Sequence, residues 1–523
     1  MSGGGLFILV AYGSQNVILS GNPDFTYFYM VIKKYSHFSF ESVTTALEGP
    51  QELFFNQPIQ LRAKIKRVGD LLSDLYFTFT LPDIYSKYFN PNLPGPTAGR
   101  SQYEFQWVRY IGAQIIQDAS FFIGGTLVQQ FDSDYIIATA FTDQDETQYN
   151  KWQELVGDVP ELYDPANGKY SGATGSTRVT GFYPNTFRDP NLNAQNNFPS
   201  IPSREITVPL GFWFSQSPGL ALPLVGLQYH ECEVQLTLRP IQDLYTVLDP
   251  NGHRVRPENT VVGSTSQLNR GNVTYMTNTE DGMYIRNYLT DFGYPAPALN
   301  TWPLNPRLQE THIYVTEPEQ RTFATKSLSY IVRQVTPYKF QDITSRQFLD
   351  LYTHNPVPRL IIVPRRSDII KNLNKWTNYT NWWQYPTAPF TPASSSQGII
   401  GGYSGLNNIA MQEDIIRQIR IICDGNEIQE IKPLRYFREL SSWKYATGVF
   451  PAGLAIYSFA LDTSKWIKPS GTLNTSRVKK FQLDIDPWPL ATDTTFSMEY
   501  TIYVESLNFL LIEGGMGGMK YAT

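Results

Sequence analysis

The chain has 523 residues, with 42 Lys and Arg against 47 Asp and Glu and a formal net charge of −5. Charged residues make up only 17% of it and aromatics 14%, against about 25% charged residues in an average soluble chain. This acidic balance excludes the basic face that a protein wrapping nucleic acid needs, and the length leaves room for two domains, each with a full core. Cys232 and Cys423 are the only cysteines, too few for a disulfide framework or a thiolate zinc site, and such sparse use fits a reducing compartment. No apolar run approaches the roughly 18 residues that span a bilayer. Leu6–Val10 lacks a basic flank and a cleavage site, which makes it a poor signal peptide, and Ser2 in place of Gly excludes N-myristoylation.

Residues 1–25 read as an extended arm: a Gly3-Gly4-Gly5 leader, the short apolar Leu6–Val10, then turn formers at Gly13, Gly21 and Pro23. Phe38 and Phe40 alternate with Ser39 and Glu41, residues 61–68 and 75–81 give two more strands joined at Gly69-Asp70, and Phe122-Ile123-Gly124-Gly125 marks a hairpin. One helix is expected over 132–158, from the spacing of Ile136, Ile137, Ala140, Trp152 and Leu155. Residues 160–203 are rich in Pro, Gly, Asn and Ser and read as an insertion. Strand character returns at Ile206–Val208 and Phe212–Phe214. Val234, Leu236 and Leu238 then alternate with Gln235, Thr237 and Arg239, and Cys232 falls on the core side.

Residues 248–309 read as a second long loop. His312–Val315 is a strand, and Glu317-Pro318-Glu319 marks a boundary. Beyond it come a strand at Leu328, Tyr330 and Val332, an apolar run over Leu360–Val363, a third loop at 371–411, and a last strand through Phe496, Met498, Tyr500, Ile502 and Val504. Two internal correspondences tie the halves together. Gly124-Gly125 with Gln129 parallels Asp424-Gly425 with Gln429, and Pro218-Gly219-Leu220-Ala221 before the 232–238 strand parallels Pro451-Ala452-Gly453-Leu454 before Phe481, Leu483 and Ile485. The expected fold is all-β: two tandem sandwiches with long inserted surface loops and a short helix. The divisions are a 1–25 arm, a first sandwich over 26–316 with insertions at about 160–203 and 248–309, a second over 317–511 with an insertion at about 371–411, and a tail over 512–523.

Catalytic readings of the residues are weak. The histidines His37, His230, His253, His312 and His354 show no metal-ligand spacing, and there is no G-x-S-x-G or H-E-x-x-H. His230 beside Glu231 reads as a strand-end hydrogen bond. Asp484, Asp486 and Glu499 read as solvent-face carboxylates rather than a glycosidase pair. Gly517-Gly518-Met519-Lys520 has neither the Ser/Thr nor the helix of a phosphate loop. Tyr379, Trp382, Trp383 and Tyr385 form the one stretch resembling a ligand platform, with packing of the loop itself as the simpler reading. The basic pairs Lys33-Lys34, Arg365-Arg366 and Lys479-Lys480 read as solvated faces or rim contacts, and the sequons at Asn272, Asn378 and Asn474 as unmodified by the secretory route. No catalytic, cofactor-binding or metal residue is therefore assigned, and no cofactor.

A resemblance goes further. Leu9-Val10-Ala11-Tyr12-Gly13, Gly21-Asn22-Pro23, Pro218-Gly219-Leu220-Ala221-Leu222-Pro223-Leu224 and Leu227-Gln228-Tyr229-His230-Glu231 are similar to motifs of the major capsid proteins of nucleocytoplasmic large DNA viruses. So, in the same order, are Arg321 with Phe323-Ala324, Tyr457-Ser458-Phe459-Ala460-Leu461, Pro469-Ser470-Gly471 and Gly515-Met516-Gly517-Gly518. Asn16 stands where that family usually carries Asp. The resemblance implies a double jelly roll and a structural, non-enzymatic protein. It implies a homotrimer forming a pseudo-hexagonal capsomer that tiles an icosahedral shell, in a virion assembled in the host cytoplasm. Implied partners are the chain itself, neighbouring capsomers, minor capsid and penton proteins and the underlying inner membrane layer, with no direct nucleic acid. The alternatives are a minor or paralogous capsid protein of the same fold, or a carbohydrate-binding β-sandwich protein.

Overall fold

The computed structural model describes residues 18, 21, 23, 24, 26, 28–30, 32–86, 103–168, 183–184, 199–264, 268, 272–290, 294–389, 412–464, 467–490 and 494–521. Its first sandwich comprises β1 (Phe38–Ala46), β2 (Ile59–Lys64), β3 (Leu71–Leu81), β4 (Ile116–Ile123), β5 (Thr126–Phe131), β6 (Arg204–Pro209), β7 (Cys232–Leu238) and β8 (Arg307–Val315). The second comprises β9 (Leu328–Ile343), β10 (Gln347–Leu351), β11 (Arg359–Arg366), β12 (Ile416–Cys423), β13 (Asn426–Pro433), β14 (Ala455–Ser458), β15 (Phe481–Pro487) and β16 (Met498–Glu513). One sheet of the first runs β1-β8-β3-β6 and the other β2-β7-β4-β5; the second runs β9-β16-β11-β14 and β10-β15-β12-β13. Adding eight to each label of the first sandwich gives the second. This is jelly-roll connectivity, twice.

Period-two alternation makes the strands. β7 buries Cys232, Val234, Leu236 and Leu238 and half-exposes the residues between them; burial also pushes the Cys232 thiol up to about 12. Both expected hairpins are two-residue loops closing Ile123 on Thr126 and Cys423 on Asn426. Gly124, Gly125, Asp424 and Gly425 all have φ between +49° and +82°, the type I′ geometry that matches strand twist. The registers agree up to Gln129 opposite Phe121 and Gln429 opposite Ile421, with the same one-residue bulge just before. The offset of 300 therefore holds in space.

All strand pairings within each sheet are antiparallel, so the connections gather at two ends. At one end Gly124 N–H donates to Glu231 O, Tyr229 N–H to Gly515 O, and Val315 N–H to the Asp70 carboxylate. Residue 38, where β1 begins, pairs with Val315 at this same end. At the other end Ile84 bonds Ile201, Tyr85 N–H donates to Tyr288 O, and Arg256 N–H donates to Asn372 O. The ends of the long connections β3–β4, β5–β6, β7–β8 and β11–β12 gather there.

Several expectations need correction. The helix expected over 132–158 is two, α1 (Ser133–Asp143) and α2 (Glu146–Leu155), each with its own aspartate cap: Asp132 accepts from Tyr135 N–H and Asp145 from Gln148 N–H. Residues 248–309 carry short strands at Arg254–Val255, Asn259–Val262, Thr274–Thr277 and Thr301–Pro303 rather than an open loop. A helix, α3 (Glu317–Thr325), fills the expected boundary, and residues 516–519 of the expected tail pair back onto β16. Most of the 160–203 insertion, residues 390–411 and most of the arm lie outside the described residues.

The Pro218 and Pro451 segments are not equivalent. Pro218–Leu220 falls between β6 and β7, whereas Pro451 precedes β14, the counterpart of β6. Gly453, at φ +89°, has room for no side chain, since a Cβ would come within 2.1 Å of the Tyr379 carbonyl oxygen; Gly219 has nothing nearer than 4.0 Å. Gly453→Ala is therefore expected to destabilise by about 3 kcal/mol and Gly219→Ala by less than about 0.5 kcal/mol, read as shifts in thermal unfolding midpoint.

Candidate functional site

The residues singled out for chemistry do not come together. Asp484 and Asp486 lie on β15 and are 1% and 7% exposed, which corrects their reading as solvent-face groups. Arg346 and Arg420 each donate to Asp484, at 2.9 and 3.0 Å from Nε, and Gln418 Nε2 donates to Asp486 at 2.8 Å. Glu499 belongs to the other sheet, opposite Arg365. Trp376, Tyr379 and Trp383 are buried. The Arg239 guanidinium stacks on Trp376 at 4.0 Å, and Trp376 Nε1–H donates to Asp243 O. The aromatic stretch thus holds its own loop down. Asn378 is buried, donating to Trp382 O at 2.7 Å, while Lys33, Lys34, Lys479 and Lys480 are exposed. Arg365-Arg366 is the exception among the basic pairs, being 5% and 1% exposed.

That pair leads to the densest electrostatic feature, a joint between the sandwiches. α1 lies across the outer face of the β9-β16-β11-β14 sheet, antiparallel to β11. Near its start, Asp134 takes both Nη groups of Arg365, at 2.6 and 2.7 Å. At its end, Asp143 takes Arg359 Nη1 at 2.5 Å and Arg333 Nη1 at 3.1 Å. Arg359 also donates twice to Glu505 of β16, each at 2.7 Å, and Glu505 accepts Tyr135 O–H at 2.6 Å. Tyr503 O–H donates to Asp132 at 2.8 Å.

Arg359 to Arg365 spans roughly 20 Å of strand and Asp134 to Asp143 roughly 14 Å of helix; the flexible arginine stems take up the difference. Asp134 sits favourably at a helix N-terminus, whereas Asp143 opposes the dipole at the C-terminus and has two guanidiniums. Burial alone would raise both carboxyls, but Arg365 for Asp134, and Arg359 with Arg333 for Asp143, hold them below the ordinary range. Asp132 goes the other way: burial, and then the Asp134 charge, raise it. Sequence reasoning missed the joint. Its signal was a charge at each end of an otherwise apolar strand, Arg359 before Leu360–Val363 and Arg365 after.

A second contact unites two motifs far apart in sequence. Gly515-Met516-Gly517-Gly518 folds against Leu227-Gln228-Tyr229-His230. The His230 ring Nδ1 lies 3.0 Å from Gly517 O and 3.2 Å from Gly517 N, and a Cβ on Gly517 would sit 2.8 Å from Leu227 Cδ2. The Arg67 guanidinium donates to the carbonyls of Leu227, Gln228 and His230, fixing that loop. His230 makes its hydrogen bond with the C-terminal hairpin, while Glu231 pairs with Lys64.

Arg359→Met leaves the buried carboxylates Glu505 and Asp143 sharing Arg333 as their one remaining guanidinium and is expected to cost about 3–5 kcal/mol. Arg321→Ala, which removes the exposed pair with Glu317, should cost under about 0.5 kcal/mol. The depressed pKa values of Asp134 and Asp143 contribute stability that is complete above their unfolded value of about 4 and lost as pH falls below it; the raised Asp132 partly offsets this. The unfolding midpoint of the wild type should therefore fall steeply below about pH 4, and the Arg359→Met midpoint less steeply.

Two family models match in tandem: the major capsid protein N-terminus over residues 26–277 and the large eukaryotic DNA virus major capsid protein over 319–518. The major capsid protein of Paramecium bursaria Chlorella virus 1 is 25% identical, covering 99% of this chain and 100% of that protein. That of Chrysochromulina ericina virus is 22% identical with both chains covered in full. Among solved structures, PBCV-1 VP54 superposes with a TM-score of 0.62 at 20% identity over 95% of this chain and 100% of that one, and the Faustovirus major capsid protein with 0.60 at 14% over 97% and 98%. These relatives are structural proteins and not enzymes, and the superpositions carry the same double jelly roll. With tandem jelly rolls along its length and both family models matched in order, the chain belongs to the major capsid proteins of the large eukaryotic DNA viruses.

Proposed function

We propose that three copies of this chain close into a ring whose six jelly rolls form a pseudo-hexagonal capsomer, and that these capsomers tile an icosahedral shell. The observation that carries this reading is the eight-label equivalence of the two sandwiches together with the buried joint between them. A chain with two near-identical bodies held rigidly, taken three times, presents near-sixfold edges and can pack hexagonally with one kind of subunit. Neighbouring capsomers, minor capsid and penton proteins and the inner membrane layer are its partners in this scheme, and assembly takes place in the host cytoplasm.

The two-ended topology supports an orientation. The ends of the long connections β3–β4, β5–β6, β7–β8 and β11–β12 gather together, and long irregular loops carry surface function, so this end faces outward. Residue 38 and the C-terminal hairpin lie at the opposite end. The arm over residues 1–25 then hangs beneath the first sandwich and docks on neighbouring capsomers or inner capsid proteins. Ordering it costs roughly 1–2 kcal/mol per residue in backbone entropy, so those contacts come with assembly.

Sedimentation across a dilution series tests the ring: the species should stay at three times 59.6 kDa until unfolding begins, because such an interface is large and obligate. A stable folded monomer at micromolar concentration contradicts it. Deleting residues 2–22 should leave a soluble trimer of near-normal thermal stability that fails to assemble further; loss of folding or of the trimer would make the arm part of the core.

A further inference from the structure

The internal repeat makes a specific statement about which surfaces meet between copies. Within the chain, the first sandwich offers its β5 edge and the helix after it to the second. Val128 and Gln129 of β5 are 1% and 3% exposed. Gln129 Nε2 donates to Arg333 O of β9, Gln334 Nε2 returns a bond to Val128 O, and α1 covers β11 and β16. On the receiving sheet, Val332, Ile361, Val363 and Tyr503 are at most 1% exposed.

Among the described residues, the equivalent offering surface of the second sandwich has no such cover. Ile428, 300 residues after Val128 and at the same bulge, is 40% exposed. The Gln429 side chain reaches only its neighbour's carbonyl, Glu430 O. The helical stretch after β13, Tyr436–Leu440 running on into α4 (Ser441–Tyr445), stands where α1 stands after β5. It exposes Leu440 at 45% and Trp443 at 85%, with Val449 just beyond at 80%.

The equivalent receiving surface of the first sandwich, the outer face of β1-β8-β3-β6, is also open along β1 among the described residues, while Thr78, and Leu71 and Ile313 packed with Ala221 and Phe323, are buried. Phe38 and Phe40 are 57% and 60% exposed, whereas the outer face of the counterpart strand β9 carries a half-buried Ile331 and a buried Arg333. Gln309, Thr311, Tyr76 and Thr207, in register across the same face, are half-exposed. An unpaired offering surface and an unpaired receiving surface on one chain are the two halves of a head-to-tail contact, which closes into a ring when the rotation allows.

We propose that residues 428–449 of one copy seat on the outer β1-β8-β3-β6 face of a second copy, repeating between chains the contact that β5 and α1 make within it. This rests on the ring reading above and names the surfaces that build it. The chemistry of the two joints differs. The internal one adds buried ion pairs to apolar packing and forms once, on folding. The one between copies uses Trp443, Leu440 and Ile428 against Phe38, Phe40 and a threonine-rich strand face, which stays soluble before assembly yet supplies an aromatic anchor.

The test is photo-crosslinking of full-length protein carrying p-benzoylphenylalanine at position 443, mixed from isotope-labelled and unlabelled copies so that links between copies are distinguished by mass. Links from 443 to peptides containing residues 38–44, 74–80, 205–209 or 307–311 of a different copy are expected. Alongside, Trp443→Asp with Val449→Asp should cut the fraction sedimenting at three times 59.6 kDa at least about tenfold at a concentration where the unsubstituted protein is wholly trimeric. A chain that sediments as a trimer but links elsewhere, or not at all, overturns this inference and leaves the ring standing. A chain that sediments as a monomer overturns both.

Discussion

Arg359 has no exposed surface, and a guanidinium does not give up its proton inside a protein. Burying it is tolerable only because Glu505 and Asp143 complete its hydrogen bonds. Those two carboxylates come from different sandwiches, so the charge is satisfied only when both are folded and in one relative position. An apolar interface of the same size would tolerate sliding, whereas a guanidinium with four bonds to two carboxylates, beside the bidentate Arg365–Asp134 pair, does not. Buried ion pairs are poor evidence of net stability. What this one supplies is a fixed angle between two copies of the same fold.

The fixed angle matters because the copies are otherwise so alike. Sheet order, hairpin register and even the bulge before Gln129 and Gln429 repeat. The differences collect where each copy meets its neighbour. The first has α1 with acids at both ends of the helix, and the second has a short helical stretch with exposed aromatic and aliphatic groups. One sandwich spends its coupling surface inside the chain, and its counterpart keeps an equivalent surface exposed. At the end where β1 begins, His230 and Arg67 tie the C-terminal hairpin to the first sandwich, adding a second tether between the halves.

Much of this was legible in the sequence. Strict alternation in 232–238 and the paired Gly hairpins 300 residues apart were enough for tandem sandwiches, because both signals are local and follow from strand geometry. Position by position, the hairpins were the sound half of the repeat. The Pro218 and Pro451 match was chance similarity between two turns, and only strand order could expose it. The joint was illegible for a different reason: Asp134, Asp143, Arg333, Arg359 and Glu505 span 371 residues (505 − 134), and each alone looks like a surface charge. Arg365-Arg366 and Asp484 were misread in the same way, since burial of a paired charge depends on a partner that periodicity does not show.

The central claim is that the two jelly rolls of one chain occupy equivalent places around a common axis. Electron cryo-microscopy of the purified oligomer tests it directly. The account predicts six sandwich densities at nearly equal radius about a threefold axis, each chain contributing two neighbours joined through α1. Densities at two distinct radii, or an assembly without a threefold axis, would contradict it.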